Sequence, residues 1–175
     1  MMYLDRWEPL VRLLPAKGVY ALIVMIPLSL TFKAGGLKEV SLSEGLYIYV
    51  GSALGQGLLP RRVARHLSFF KKLRWHVDYL LTLRCVKVVG VVASYVHEKL
   101  ECDLVRKLLL KGFKPTVRGF GSSDCRCYSH LLLSPSQEVK PTTLLVEEAI
   151  RELGAEPMSV FLENLKKTQY LKSYE

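Results

Sequence analysis

Gly18-Val19-Tyr20-Ala21-Leu22-Ile23-Val24-Met25-Ile26 is an unbroken run of small and apolar residues, rich in β-branched and aromatic side chains. A run of this kind reads as a largely buried strand. The apolar stretch from Val19 to Leu30 spans about 12 residues, carries Pro27, and is bracketed by Lys17 and Lys33. A bilayer span needs ~20 apolar residues, so a transmembrane helix is excluded here. Acidic Asp5 and Glu8 precede the stretch and no small-residue cleavage site follows it, which argues against a signal peptide. The expectation is a cytoplasmic protein with no membrane partner.

Downstream, Pro27 and Gly35-Gly36 punctuate the chain and predict a hairpin. Leu46-Tyr47-Ile48-Tyr49-Val50 is a second strand, ending at Gly51. A glycine loop, Ser52 to Gly57, leads to Pro60, well placed as the first residue of a helix, with Leu59, Val63, Leu67 and Phe70 at helical spacing. Residues 75–83 are ambiguous between helix and strand. Val86–Val92 reads as a strand, Glu98–Leu110 as a helix, Gly119–Ser123 as a loop and Leu131–Leu133 as a short buried strand. Upstream, a segment with Trp7 and Leu13-Leu14 precedes the first strand. In the tail, helices are expected at 142–153 and 157–167, separated by Gly154. Composition and charge both change near Ser134–Pro141, which divides the chain into residues 1–134 and an extension, 135–175, packed on the same body.

The chain has 175 residues, about one domain's worth. With 50% hydrophobic and 23% charged residues it is neither disordered nor fibrous. Lys+Arg 25 against Asp+Glu 16 gives a net charge of +9, which favours a polyanionic partner. Residues 1–137 hold 20 bases and 9 acids, while residues 138–175 hold 5 bases and 7 acids. Between Glu44 and Asp78 there is no acid, yet Arg61, Arg62, Arg65, Lys71, Lys72 and Arg74 fall there with His66 and His76. A solvated face is the plain reading of such a run. Interleaved Phe69, Phe70 and Trp75 point equally to nucleic acid. Cys85, Cys102, Cys125 and Cys127 are expected to be free thiols in a reducing compartment. Only Asn164, Gln56, Gln137 and Gln169 carry side-chain amides, a scarcity that points to a thermophilic source, where an intracellular disulfide is also compatible.

In chain order the motifs are Gly18-Val19-Tyr20, Tyr49-Val50-Gly51 followed by Ser52-Ala53, and Arg62-Val63-Ala64-Arg65-His66. They resemble the GIY-YIG endonuclease superfamily. Trp75-His76-Val77-Asp78-Tyr79-Leu80, Glu101-Cys102 and the segment Gly121 to Leu131 are similar to its domain-of-unknown-function-123 branch. The resemblance covers roughly residues 17–133. It implies an α+β fold: a small, mostly antiparallel sheet flanked by helices, here with an extra hairpin and a helical C-terminal tail. It also implies a metal-dependent DNA endonuclease. Tyr20 takes the position of the residue that deprotonates the attacking water, Arg62 that of the phosphate ligand, and Glu101 that of the carboxylate holding one Mg2+ or Mn2+ ion. Tyr49 and His66 match supporting positions. A phenol with pKa ~10 is a weak base in water, so Tyr20 needs help from Arg62 or from metal-bound water. The chain departs from the pattern in three places. Tyr20 and Tyr49 are 29 positions apart, which implies the inserted hairpin. Two more residues separate Gly51 from the arginine helix, and the family's late asparagine has no counterpart but Asn164 in the tail.

Each residue also has a plain structural reading: Tyr20 and Tyr49 as core aromatics, Arg62 and Arg65 as solvated, Glu101 as a helix-start residue, His66 as a core hydrogen-bonder. Trp75, His76, Asp78 and Tyr79 read better as a structural network than as chemistry. The basic residues Arg61, Arg65, Lys71, Lys72 and Arg74 are the candidate DNA contacts, with RNA as an alternative partner. A catalytically inactive DNA- or RNA-binding module is the competing reading. Asp124, Cys125, Cys127 and His130 form a candidate second metal site or structural cluster. Thiolate and imidazole suit zinc, but Cys-x-Cys is not the usual zinc-knuckle spacing, and a fourth ligand must come from Cys102, His76 or elsewhere. Ordered loop packing is the leading expectation there, with zinc and a disulfide behind it. Oligomeric state is not legible.

Overall fold

The apolar run becomes the central strand of a sheet that is covered on both faces. The structure, a computed structural model, describes residues 7–163. Strand β1 (Gly18–Ile26) is buried along its length apart from half-buried Met25. Tyr20, Leu22, Val24 and Ile26 face one core and Val19, Ala21 and Ile23 face the other. Burial on both sides explains why the sequence shows a continuous apolar run instead of alternation.

Among the described residues the elements follow as α1 (Glu8–Leu13), β1, β2 (Leu30–Lys33), β3 (Glu39–Leu42), β4 (Gly45–Ala53), α2 (Leu58–Leu67) and α3 (His76–Leu81). Then come β5 (Lys87–Ser94), α4 (Glu101–Leu110), β6 (Lys114–Pro115), β7 (Leu131–Leu133), α5 (Val139–Arg151) and β8 (Pro157–Phe161). The main sheet has the order β6-β7-β4-β1-β5-β8, with every pair antiparallel. Helices α1, α2 and α3 and the β2–β3 hairpin pack on one face through Leu10, Leu59, Val63, Leu80, Phe32 and Val40. Helices α4 and α5 cover the other through Leu104, Leu108, Val146 and Ile150. The fold is therefore α+β, with the hairpin inserted between the two tyrosine strands as a separate two-stranded sheet. No helix among the described residues is long and apolar enough to cross a membrane.

Several expected boundaries shift for identifiable reasons. Helix α2 starts at Leu58 behind Gly57, whose φ of 70° sets the entry, so Pro60 is its third residue. The helix ends at Leu67, where Ser68 Oγ donates to the Ala64 carbonyl at 2.9 Å, and Phe70 lies beyond it in solvent. The ambiguous 75–83 stretch forms α3, because the Asp78 carboxylate accepts the Trp75 backbone N–H at 3.0 Å and caps the first turn. Helix α4 begins at Glu101 instead of Glu98. The second tail helix is a correction: residues 157–161 are strand β8, since the outer edge of β5 offers them a hydrogen-bonding ladder from Gly90 to Ser94. Residues 164–167 of that expectation, Asn164 among them, lie outside the described residues.

The second tyrosine motif requires its glycine for contact. Tyr20 pairs across the ladder with Gly51, and a Cβ at Gly51 would stand 2.5 Å from the Tyr20 hydroxyl oxygen and 2.6 Å from its ring carbon. Gly36, in contrast, is exposed with nothing within 4 Å of such an atom. Gly51→Ala is expected to lower unfolding free energy by about 1–3 kcal/mol through overpacking, and Gly36→Ala to leave it within about 0.5 kcal/mol, as read by urea denaturation. Equal stability of the two variants contradicts the contact.

Candidate functional site

Leu22 stands opposite Tyr49 in the β1–β4 ladder, so Tyr20 and Tyr49 lie diagonally on one sheet face. Helix α2 crosses that face, and its i, i+4 spacing turns Arg62 and His66 to the same side. The Tyr20 hydroxyl lies 2.9 Å from His66 Nε2. Arg62 lies close enough for its charge to act on Tyr20, donates to the Ser52 carbonyl, and stacks with its guanidinium 5.1 Å from the Trp75 ring centroid. Tyr20 thus has two polar partners, Arg62 and His66. The sequence reading supplied the first as a helper and the second only as a supporting position.

Behind His66 sits the residue that organises the site, Asp78, which is fully buried. Arg65 donates to it bidentately, Nη1 to Oδ1 at 3.0 Å and Nη2 to Oδ2 at 2.9 Å. The backbone N–H groups of Arg74 and Trp75 add bonds of 2.8 and 3.0 Å to Oδ2. His66 Nδ1 lies 3.5 Å from Oδ1. Burial alone raises a carboxyl pKa, but His66 3.5 Å away and the hydrogen bonds from Arg65 and the two backbone amides outweigh it and hold Asp78 well below the usual carboxylate range. Burial pushes His66 down to about 4 despite Asp78 beside it. His66 Nδ1 has no hydrogen-bond partner, but the ionised Asp78 3.5 Å away favours a proton there, and on that assignment Nε2 accepts from the Tyr20 hydroxyl. The result is a Tyr20–His66–Asp78 line, hydrogen-bonded at 2.9 Å on the tyrosine side and in contact at 3.5 Å on the carboxylate side. Burial raises the pKa of Tyr20 well above its ordinary value and raises Tyr49 too, so both start as neutral phenols.

A cleft of about 540 Å³ opens over this face, lined by Tyr20, Tyr49, Arg62, Glu101, Asp124 and His130 among others. The first four are expected site residues from four different elements, and the fifth, His66, lies directly behind Tyr20. Glu101 opens α4, and its Oε2 is buried with no hydrogen-bond partner. The far wall is the loop after β6. Gly121 (φ 72°) runs so close to Tyr49 that a Cβ would stand 2.8 Å from its ring, and its N–H donates to His76 Nδ1 at 3.2 Å. Trp75, His76 and Gly121 therefore shape the cleft. The Trp75-His76 pair was visible in the motif, whereas the closeness of Gly121 to Tyr49 depends on a contact between distant segments.

The five expected nucleic-acid contacts divide. Arg61, Lys72 and Arg74 are exposed, and Arg74 lines the cleft. Arg65 turns inward to Asp78 and stacks 4.5 Å from the Trp75 centroid. Lys71 donates to the His66 carbonyl at 2.5 Å, and burial pushes its pKa down to about 8. Of the Asp124, Cys125, Cys127, His130 cluster, Asp124 faces the cleft, and Cys102 takes its place beside the other three. Cys102, Cys125, Cys127 and His130 lie close enough together to hold a metal ion.

Both central shifts give stability the same pH dependence. The unfolded chain binds a proton at His66 near pH 6.5 while the folded chain resists it down to about 4, so stability falls across that window. Asp78, depressed in the fold, extends the loss below the ordinary carboxylate value. Thermal melts are expected to drop between pH 6.5 and 4, with a shallower drop in that window for His66→Phe. An unchanged slope in His66→Phe contradicts this assignment.

Residues 19–155 match the family described as "Domain of unknown function DUF123". No curated protein and no solved structure matches the chain. The matched span opens one residue before Tyr20 and closes well beyond His130, so every cleft residue falls inside it, and the chain belongs to the DUF123 family.

Proposed function

We propose that this protein is a metal-dependent endonuclease that hydrolyses phosphodiesters of DNA. The observation that carries this reading is the buried, unpartnered Oε2 of Glu101 in the same cleft as Arg62 and the Tyr20–His66–Asp78 line. A buried carboxylate oxygen without a donor needs a positive partner, and a hard oxygen donor suits Mg2+ or Mn2+. Glu101 would hold the ion, with Asp124 on the same cleft as a further oxygen donor. When bound, such an ion supplies Lewis-acid stabilisation of charge developing on the phosphate.

The remaining work falls to the chain's own groups. Arg62, held by the Ser52 carbonyl and the Trp75 ring, presents its fork to the non-bridging oxygens. Tyr20 accepts a proton from the attacking water as its own hydroxyl proton passes to His66 Nε2. Asp78 stabilises the imidazolium that forms, the role a carboxylate plays behind a catalytic histidine in hydrolases. His66 is neutral before the reaction because burial holds its pKa near 4, so its acceptor site is available at pH 7.

Substrate reach is supported by the exposed cations Arg61, Lys72 and Arg74 and by an aromatic pair between them in sequence. Phe69 and Phe70 stack edge-to-face at 5.3 Å, and Phe70 is 89% exposed. An aromatic so exposed contributes little to folding and offers a platform for an unpaired base.

Glu101→Gln is expected to reduce Mg2+-dependent nicking of plasmid or branched DNA by about 100- to 1,000-fold, with DNA affinity retained. Undiminished cleavage overturns the assignment. Salt-sensitive binding with no turnover on DNA or structured RNA, in Mg2+ or Mn2+, makes the protein a binding module instead. Phe70→Ala is expected to weaken single-stranded DNA binding by about 5- to 100-fold, one stacked base's worth, with an unchanged melting temperature. Unaltered affinity removes Phe70 from the binding surface.

A further inference from the structure

Three of the chain's four cysteines converge on one point beside the cleft. The sulfurs of Cys102, Cys125 and Cys127 and a ring nitrogen of His130 all lie within 4.8 Å of one another. His130 Nε2 is 3.4 Å from Cys125 Sγ and 3.9 Å from Cys102 Sγ. Zinc binds thiolate at about 2.3 Å and imidazole at about 2.0 Å, which spaces the ligand atoms of a tetrahedral site roughly 3.4–3.8 Å apart. The cluster is thus within small side-chain adjustments of that geometry. The Val50 backbone N–H donates to the His130 carbonyl at 3.0 Å, which holds the His130 backbone against β4.

The donors come from separate pieces of chain. Cys102 is the second residue of α4. Cys125 and Cys127 belong to the loop between β6 and β7, and His130 immediately precedes β7. That loop contains no helix or strand, and its hold on itself comes from turns such as Gly119 N–H to the Tyr128 carbonyl (2.8 Å) and His130 N–H to the Phe120 carbonyl (2.8 Å). The short Cys-x-Cys spacing is workable because the other two ligands are supplied from α4 and from the start of β7.

We propose that Cys102, Cys125, Cys127 and His130 form a Cys3His zinc site that ties the β6–β7 loop to the N-terminus of α4. Three thiolates and an imidazole select zinc over the hard ions suited to Glu101. Four protein ligands leave no open position, so the site is structural and not hydrolytic. Three thiols cannot all be satisfied by one disulfide. The ligands Cys102 and Cys125 are sequence neighbours of Glu101 and Asp124, so the zinc fixes the two carboxylates of the cleft relative to each other. The site stands whether or not the cleft hydrolyses DNA.

The test is metal analysis of the full chain purified under reducing conditions, followed by Co2+ titration of chelator-stripped protein. One equivalent of zinc is expected, with cobalt–thiolate charge-transfer absorption that saturates at one equivalent and is displaced by Zn2+. Cys102→Ser is expected to weaken the Co2+ binding read by thiolate absorption at least tenfold, while Cys85→Ser retains it. Metal-free protein whose stripped form gives no cobalt–thiolate absorption overturns the proposal. So does an intact mass, without metal, lowered by two hydrogens through a Cys–Cys crosslink. The wild-type titration decides even if Cys102→Ser fails to fold.

Discussion

A single buried carboxylate, Asp78, constrains most of the cleft face. An ionised group with no solvent contact is tolerated only when its oxygens are fully supplied with donors. Here the supply is Arg65 from α2 and two amides from the turn into α3, with His66 Nδ1 3.5 Å away. Each donor is thereby fixed as well. Arg65 is pulled off the surface, the N-terminus of α3 is closed, Trp75 is set under Arg62, and His66 acquires the tautomer that meets Tyr20. Replacing Asp78 by a neutral residue would leave a guanidinium uncompensated in the same spot, a loss of about 3–5 kcal/mol for broken buried pairs.

The charge that first pointed to a polyanion is consequently spent in two different ways. Within the acid-free segment, Arg65 and Lys71 serve the interior of the site, and Arg62 lies at the cleft with its fork partly held by Ser52. Arg61, Lys72 and Arg74 remain as exposed cations. Net charge read from composition therefore overstates the electrostatic surface of this face, and the exposed aromatics beside it carry more of the recognition argument than the count of bases did.

What was legible in the sequence is what depends on local pattern or on ordered motifs. The apolar run of β1, the tyrosine strand β4, the helix carrying Arg62 and His66, and Glu101 at a helix start were all readable, and the structure gathers them around one cleft. The hairpin was legible from Gly35-Gly36 and the spacing of the tyrosines. Long-range choices were not. Nothing near Asp78 announces that its partner is Arg65, thirteen residues upstream. In the sequence Cys102 is one of several options for a ligand beside Cys125, Cys127 and His130, and only the packing of α4 beside the β6–β7 loop selects it. Residues 157–161 form a strand because β5 has a vacant edge, which no local propensity of Pro157-Met158-Ser159-Val160-Phe161 encodes.

That last pairing bears on how the molecule is made. In the finished sheet β5 is hydrogen-bonded to β1 on one side and to β8 on the other. During vectorial synthesis β5 is exposed for more than sixty residues before β8 follows, with α5 in between. Throughout that interval the nascent sheet presents a flat, valine-rich edge, Val88-Val89-Gly90-Val91-Val92, with unpaired amides and carbonyls. Among the described residues β8 is the strand that covers this edge, and a chain terminated before Pro157 would carry an open template for aggregation even with its entire cleft in place.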